Sequence, residues 1–168
     1  MLMHQELEDH GSVFDRLNAL LLNENARFRV INHPAEGCSE KVAAVRGTLP
    51  GQGAKAMLCQ LKALPDSFVL AVLPGNCKVD FKRLGQAVGG KKASLVSPGQ
   101  AALLTGCVMG AVPPFSFWPN VKLVVDPKLL DEHDEIAFNA GRLDTSMVLN
   151  AQDYRRIAAP MMAIITAD

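Results

Sequence analysis

No stretch of this sequence reaches the roughly 18 apolar residues that a membrane-spanning helix needs, no Cys-x-x-Cys pair occurs, and there is no internal repeat or low-complexity tract. Aromatic residues are few, one Trp, one Tyr and seven Phe in 168 positions, and 17 basic residues balance 17 acidic ones. Each lack excludes a class. A helical membrane anchor is not expected. Cys38, Cys59, Cys77 and Cys107 stand too far apart for a metal clip, and His4, His10, His33 and His133 add no ligand spacing, so neither a metal nor a cofactor is expected. Such cysteines read as free thiols of a reducing compartment. The opening MLMHQELEDHGS is acidic and has neither the basic nor the apolar region of a signal peptide, so a cytoplasmic protein is expected.

What is present is ordinary for a globular chain: 49% hydrophobic, 20% charged, mean hydropathy +0.13. A chain of 18.1 kDa is expected to form one domain, residues 1–168 with a core over about 13–160, and to bury roughly 70% of its unfolded surface. The zero net charge conceals an asymmetry. Residues 41–92 carry nine basic side chains against Asp66 and Asp80, a local +7 offset by −7 elsewhere. That segment either presents a basic patch to a polyanion or is balanced in space by the acidic parts.

The local signals alternate between helix and strand. Ser12 as cap with Asp15 three residues on predicts a helix over Val13–Asn23, and residues 26–31 read as a strand stopped before His33-Pro34. A second helix is expected over 40–46, capped by Ser39 and ended by Gly47. Apolar runs at 54–61 and 68–73, joined by the short link 64–67, predict an antiparallel hairpin. Helices are expected at 81–88 behind Asp80 and at 98–105 behind Ser97, with Gly106 just past the end of the latter. Strands follow at 121–125, 135–139 and 145–149, then a helix over 151–158 capped by Asn150. Two strand pairs have hairpin-length links and no helix between them, which favours an α+β domain with a mixed, largely antiparallel sheet over parallel winding.

Four places carry candidate chemistry. Lys55 follows Gly51-Gln52-Gly53 at the entrance of an apolar strand, where an ammonium either snorkels to water or meets an anion. A nucleotide-hydrolase phosphate loop is excluded, because its glycine spacing and the Ser or Thr after the lysine are both missing. The run TGCVMGAVPPFSFWP from Thr105 to Pro119 joins two glycines to three prolines and three aromatic residues. It is either a stiff loop whose exposed peptide groups hold a polar ligand or oxyanion, or an aromatic hinge packed on the core. Asn139-Ala140-Gly141 is either a turn at a strand end or an amide aimed into a site. His33 and Cys38 could form a thiol–imidazole pair, though no third group orients them. The acidic DEHDE, residues 131–135, reads as a solvated turn.

HPA at His33, GQGAKAMLC around Lys55, GCVMGAVPPFSF from Gly106 to Phe117 and EIAFNAGRLDTSMVLN near the end form an ordered set. In it the sequence resembles the YbaK and prolyl-tRNA synthetase editing-domain family, in particular its freestanding YeaK type, over about residues 13–160. The resemblance implies that family's fold, a curved sheet surrounded by helices. It also implies an aminoacyl-tRNA deacylase that hydrolyses mischarged tRNA in trans. Lys55 matches the family lysine that helps hold the tRNA acceptor end. Gly110 to Pro114 match the Gly-x-x-x-Pro loop that handles the aminoacyl group. Asn139 stands where several relatives carry a histidine.

On that basis Lys55 and the backbone amides of Gly110, Ala111 and Val112 are expected to act on the ester. Gly106, Pro113, Pro114, Phe115, Asn139, Gly141 and His33 are expected to bind substrate. An activated ester with a ribose hydroxyl beside it needs no Ser-His-Asp set. The expected partner is the tRNA acceptor end with a small amino acid, serine, alanine or threonine. A transient complex with an aminoacyl-tRNA synthetase is compatible with this. Two rivals stay open: a binding module that captures the same group without hydrolysis, and a thiol enzyme built on Cys38 and His33.

Overall fold

The computed structural model describes residues 12–168, so the N-terminal stretch that argues against a signal peptide lies outside it. Ser12 caps helix α1 (Val13–Asn23) through a reciprocal pair with Asp15, and Leu17 and Leu21 form the buried stripe. The following strand, β1 (Phe28–Asn32), starts two residues later than the sequence suggests. Asn25, in the left-handed region at φ +54, and Ala26, bonded back to Leu21 O at 2.9 Å, are used to turn the chain out of the helix. Helix α2 (Ser39–Arg46) takes Cys38 rather than Ser39 as its N-cap residue, without a side-chain cap, and ends at Gly47 with φ +74.

The apolar hairpin is β2 (Ala54–Leu61) with β3 (Leu64–Pro74). The link expected at 64–67 lies inside β3, because a register shift at Gln60/Leu61 absorbs three extra residues. Helix α3 (Phe81–Ala87) is capped by Asp80, a short β4 (Ala93–Leu95) follows, and α4 (Pro98–Thr105) is capped by Ser97. Then come β5 (Val121–Val125), a single-turn α5 (Pro127–Asp131), β6 (Glu135–Arg142), β7 (Thr145–Asn150), α6 (Ala151–Ala158) and β8 (Met161–Met162).

The strands form two sheets. One is antiparallel, in the order β1-β7-β6. The other is mixed, in the order β4-β2-β3-β5-β8, antiparallel through β3 and parallel from β3 to β8. A parallel bridge between Gly53 and Ala137 joins them at the start of β2. The larger core cluster includes Leu17, Leu58, Leu70, Phe115, Phe138, Met147 and Tyr154, drawn from both sheets. A second one, with Cys59, Leu61, Val69, Leu84 and Ile165, covers the opposite face of the mixed sheet. The alternation of Leu58 and Cys59 between the two clusters is the period-two pattern of a strand buried on both faces. The α+β class and antiparallel hairpins agree with the pattern of the sequence. Among the described residues no helix is long and apolar enough to cross a membrane.

Candidate active site

β4 pairs with β2 only along Cys59, Gln60 and Leu61, so among the described residues β2 upstream of Cys59 pairs with β3 on one side and with no strand on the other. Five consecutive residues of that stretch, from Ala54 through Leu58, line a cavity of about 240 Å³. Its deep wall is formed by buried residues: Val42 and Arg46 of α2, Ala54 and Leu58 of β2, Val96, Val112 and Asn139. Leu95, Met109 and Gly110 are exposed and form the rim. Apart from Ser39, Arg46, Lys55 and Asn139 the lining is apolar or glycine, the usual chemistry of a small-molecule cleft with a few polar groups.

Lys55, the second residue of β2, is half-buried on this wall, and its ammonium donates to the carbonyl of Cys77. Partial burial pulls its pKa below the ordinary lysine value, and the neighbouring Lys78 cation adds to the shift. The Gly51-Gln52 turn before it is part of a 3-10 helix, and Gly53 O accepts from Gly75 N at 2.8 Å, which fixes where β2 begins.

Arg46 was not singled out by the sequence. Its side chain is only 9% exposed. Nε donates to Ser146 Oγ at 2.7 Å and Nη2 to Asn139 Oδ1 at 3.0 Å. Burial without a carboxylate partner pulls its pKa down to about 10. Asn139 Oδ1 also accepts from Ser146 Oγ at 3.0 Å, and Asn139 Nδ2 donates to Glu36 O at 3.0 Å and Gly110 O at 2.9 Å. Both donors and both acceptor positions of this amide are thus occupied by the protein. Asn139 touches the cavity, but its hydrogen bonds hold the wall together. A signal for Arg46 did exist: it lies four residues after Val42 and three after Ala43, on the buried stripe of α2.

The glycine–proline loop divides into two halves. Gly110 has φ +85 and packs against Gly37 so closely that a Cβ would lie 3.0 Å from Gly37 Cα and O. Ala111 is fully buried and its N–H is used by Val108 O at 3.0 Å. Among the described residues, no oxygen of the protein accepts from the N–H of Gly110 or of Val112. The proline end is anchored instead. Pro113 and Pro114 are buried, Tyr154 Oη donates to Pro114 O, and Phe115 packs edge-to-face against Tyr154 at 5.1 Å and Phe138 at 6.0 Å. The aromatic end of the run is thus the packed hinge, while at its glycine end two N–H groups have no protein acceptor among the described residues.

Lys55, Gly110, Val112 and Asn139 meet at the cavity; Gly106, Ala111, Pro113, Pro114, Phe115, Gly141 and His33 are not among its lining residues. Gly106 is the left-handed cap of α4. Asn139-Ala140-Gly141 is not a strand-end turn: β6 continues to Arg142 through a register shift, and Gly141, with φ +83, donates to Ala111 O at 2.9 Å. His33 stands behind the wall, Nε2 on Ser146 Oγ at 2.7 Å and Nδ1 on Pro34 O at 2.8 Å, so neither ring nitrogen is paired with Cys38. Among the described residues no three His, Cys, Asp or Glu side chains group as metal ligands.

Comparison with known proteins gives this cavity a context. The Multifunctional Ser/Thr-tRNA deacylase ProXp-y of Escherichia coli (strain K12) is 52% identical over 152 residues, covering 89% of this chain and 91% of that protein. The protein of the same name from Escherichia coli O157:H7 matches to the same extent. Among solved structures, a hypothetical protein superimposes with a TM-score of 0.81 at 20% identity, covering 90% of this chain and 99% of that one. A candidate trans-editing enzyme for prolyl tRNA synthetase superimposes with a TM-score of 0.78 at 19% identity, covering 93% and 98%. The last two carry the fold alone. The family model described as aminoacyl-tRNA editing domain matches residues 33–157, a span that begins at His33 and includes Arg46, Lys55, Gly110 and Asn139. On the extent of that match and the 52% identity, the chain belongs to the aminoacyl-tRNA editing domain family.

Proposed function

We propose that the protein is a trans-editing deacylase that hydrolyses the ester of mischarged aminoacyl-tRNA carrying serine or threonine. The observation that carries this reading is that Lys55, Gly110 and Val112 line one cavity, the last two with N–H groups that no protein oxygen among the described residues accepts. The close relative named a Ser/Thr-tRNA deacylase supports the choice of amino acid.

The exposed rim receives the terminal nucleotide and the buried end receives the aminoacyl group. Lys55, with Lys78 beside it, attracts the terminal phosphate or ribose. Water attacks the acyl carbonyl carbon, forming a C–O bond while the carbonyl oxygen gains negative charge. The N–H groups of Gly110 and Val112 stabilise that oxyanion. Each such donor is typically worth on the order of 100- to 1000-fold in rate. Collapse breaks the bond to the ribose oxygen, and the proton lost by the water ends on that leaving oxygen through the vicinal ribose hydroxyl. No side-chain nucleophile is required, and His33, held by Ser146 and Pro34, plays no thiol-activating part. Four free cysteines and a tRNA substrate fit a cytoplasmic setting.

Deacylation of a panel of individually mischarged tRNAs tests the reading. Hydrolysis of seryl and threonyl esters is expected, and Lys55→Ala should abolish it while the circular dichroism spectrum stays unchanged. Binding of the same tRNAs without hydrolysis would replace the enzyme with a capture module.

A further inference from the structure

The buried end of the cavity contains one cation whose donors are not all used. Arg46 is nine-tenths buried on the wall. Nε and Nη2 are held by Ser146 and Asn139, whereas no oxygen among the described residues accepts from Nη1. Nη1 lies 3.8 Å from where a Cβ on Gly53 would be, at the residue that opens the cavity-lining edge of β2. The absence of a side chain at Gly53 leaves that nitrogen uncovered. Apart from Arg46 and Asn139, the buried residues of the lining are hydrocarbon, among them Val42, Ala54, Leu58 and Val112.

A guanidinium donates and never accepts, so it can pair only with an oxygen lone pair of whatever enters. We propose that Arg46 is the specificity-determining residue of this site, Nη1 donating to the side-chain hydroxyl of the acyl group. This rests on the deacylase reading above. The assignment follows from depth. Lys55 and the exposed loop rim are where the tRNA end enters, so the part of the substrate that travels inward to Arg46 is the amino-acid side chain. Shape alone discriminates poorly among small side chains, one methylene being worth roughly 10- to 200-fold. A site built to hydrogen-bond a hydroxyl can reject the analogue that lacks it by as much as about 10,000-fold or more. Ser146 and Asn139 keep the fork aimed, since they hold the opposite edge of the guanidinium.

The test compares seryl and 2-aminobutyryl esters of one tRNA, which differ by a hydroxyl against a methyl of nearly equal volume. Wild-type protein is expected to favour the seryl ester in kcat/KM by at least about 100-fold. Arg46→Met should lose most of that ratio by slowing the seryl reaction alone. A purely structural role would slow both esters together and leave the ratio intact, and that outcome overturns the proposal. Should Arg46→Met fail to fold, as judged by thermal unfolding, the wild-type ratio still decides: equal rates on the two esters overturn the proposal while leaving the deacylase reading in place. Hydrolysis of no ester at all by the wild-type protein would instead sink the deacylase reading, and this assignment with it.

Discussion

Asn139 Nδ2 donates to Gly110 O at 2.9 Å, tying the fifth residue of β6 to a loop 29 positions earlier in the chain. The same amide accepts from Arg46 and Ser146 and donates to Glu36 O, so one side chain sets the positions of the loop, the α2 cation and the segment leading into α2. Arg46, Gly110 and Asn139 all line the cavity, so this amide ties together three parts of its wall.

Asn139→Ala therefore leaves several buried polar groups without partners, each costing about 1–3 kcal/mol. A clear drop in thermal midpoint is expected, together with a loss of deacylation. Asn139→Asp separates the two effects. A carboxylate can still accept from Arg46 and Ser146, so only that part of the lost stability should return. It cannot donate to the carbonyls of Gly110 or Glu36, so the loop is no longer held and activity should stay low. Thermal unfolding and kcat/KM measured on both variants check this.

Gly110→Ala is the sharpest probe of the loop itself. A left-handed backbone costs a non-glycine residue roughly 1–2 kcal/mol. The added Cβ would also lie 3.0 Å from the Gly37 backbone, where no flexible side chain can move aside. The loop must shift outward, which displaces both free N–H groups. Activity is expected to fall by about 100-fold or more, well beyond the modest change in urea midpoint.

These consequences also show which parts of the molecule the sequence made legible. Caps were readable because their chemistry is local: Ser12 with Asp15, Asp80, Ser97 and Asn150 all start helices as their side chains predict. β4 and β8, three and two residues long, are too short to show a period, and they form because β2 and β5 offer edges assembled from distant chain segments. Asn139 followed by Ala-Gly has the composition of a turn, and only pairing with β7 through a bulge keeps it in a strand. Lys55 and the glycine loop stood out by residue type. Arg46 did not, since a basic residue in the last turn of a helix ordinarily complements the dipole in water. What buries it here is contact with Ser146 and Asn139, about a hundred residues away.

The cationic surface beside Lys55 leads to a prediction about binding. Lys78 is exposed and close enough to influence Lys55 electrostatically. Arg83, by contrast, is paired with Asp80 and Asp168, so part of the basic segment is already neutralised. Lys78→Gln should raise KM for charged tRNA with little change in kcat, and should make the salt dependence shallower by about one unit of slope. An unchanged salt slope would remove Lys78 from the tRNA contact.

A thiol mechanism makes the opposite demand on Cys38. Its neighbours Gly37 and Ser39 line the cavity while Cys38 itself does not, and His33 is engaged elsewhere. Cys38→Ser is expected to retain wild-type kcat/KM within about twofold, since exposed substitutions away from specific contacts rarely matter. Loss of activity in that variant would revive the thiol enzyme.

Acid sensitivity should arise far from the cavity and still reach it. Asp153 accepts from Arg27 N at 2.8 Å, Nε at 3.0 Å and Nη2 at 3.2 Å, fixing the start of α6 against the approach to β1. These bonds, the Arg27 side chain first, lower the carboxyl pKa from the ordinary 3.8 to about 2. The folded state thus binds the proton less readily than the unfolded chain. The stability this provides is fully present above pH 3.8 and is lost as the pH falls towards 2. Asp153→Asn should be less stable than wild type at neutral pH and should lose less on acidification across that window, read as thermal midpoint against pH. The next residue, Tyr154, holds the Pro114 carbonyl and packs on Phe115. Loosening α6 therefore frees the anchored end of the loop, and the variant should show reduced deacylation at neutral pH through that path although no atom of Asp153 lines the cavity.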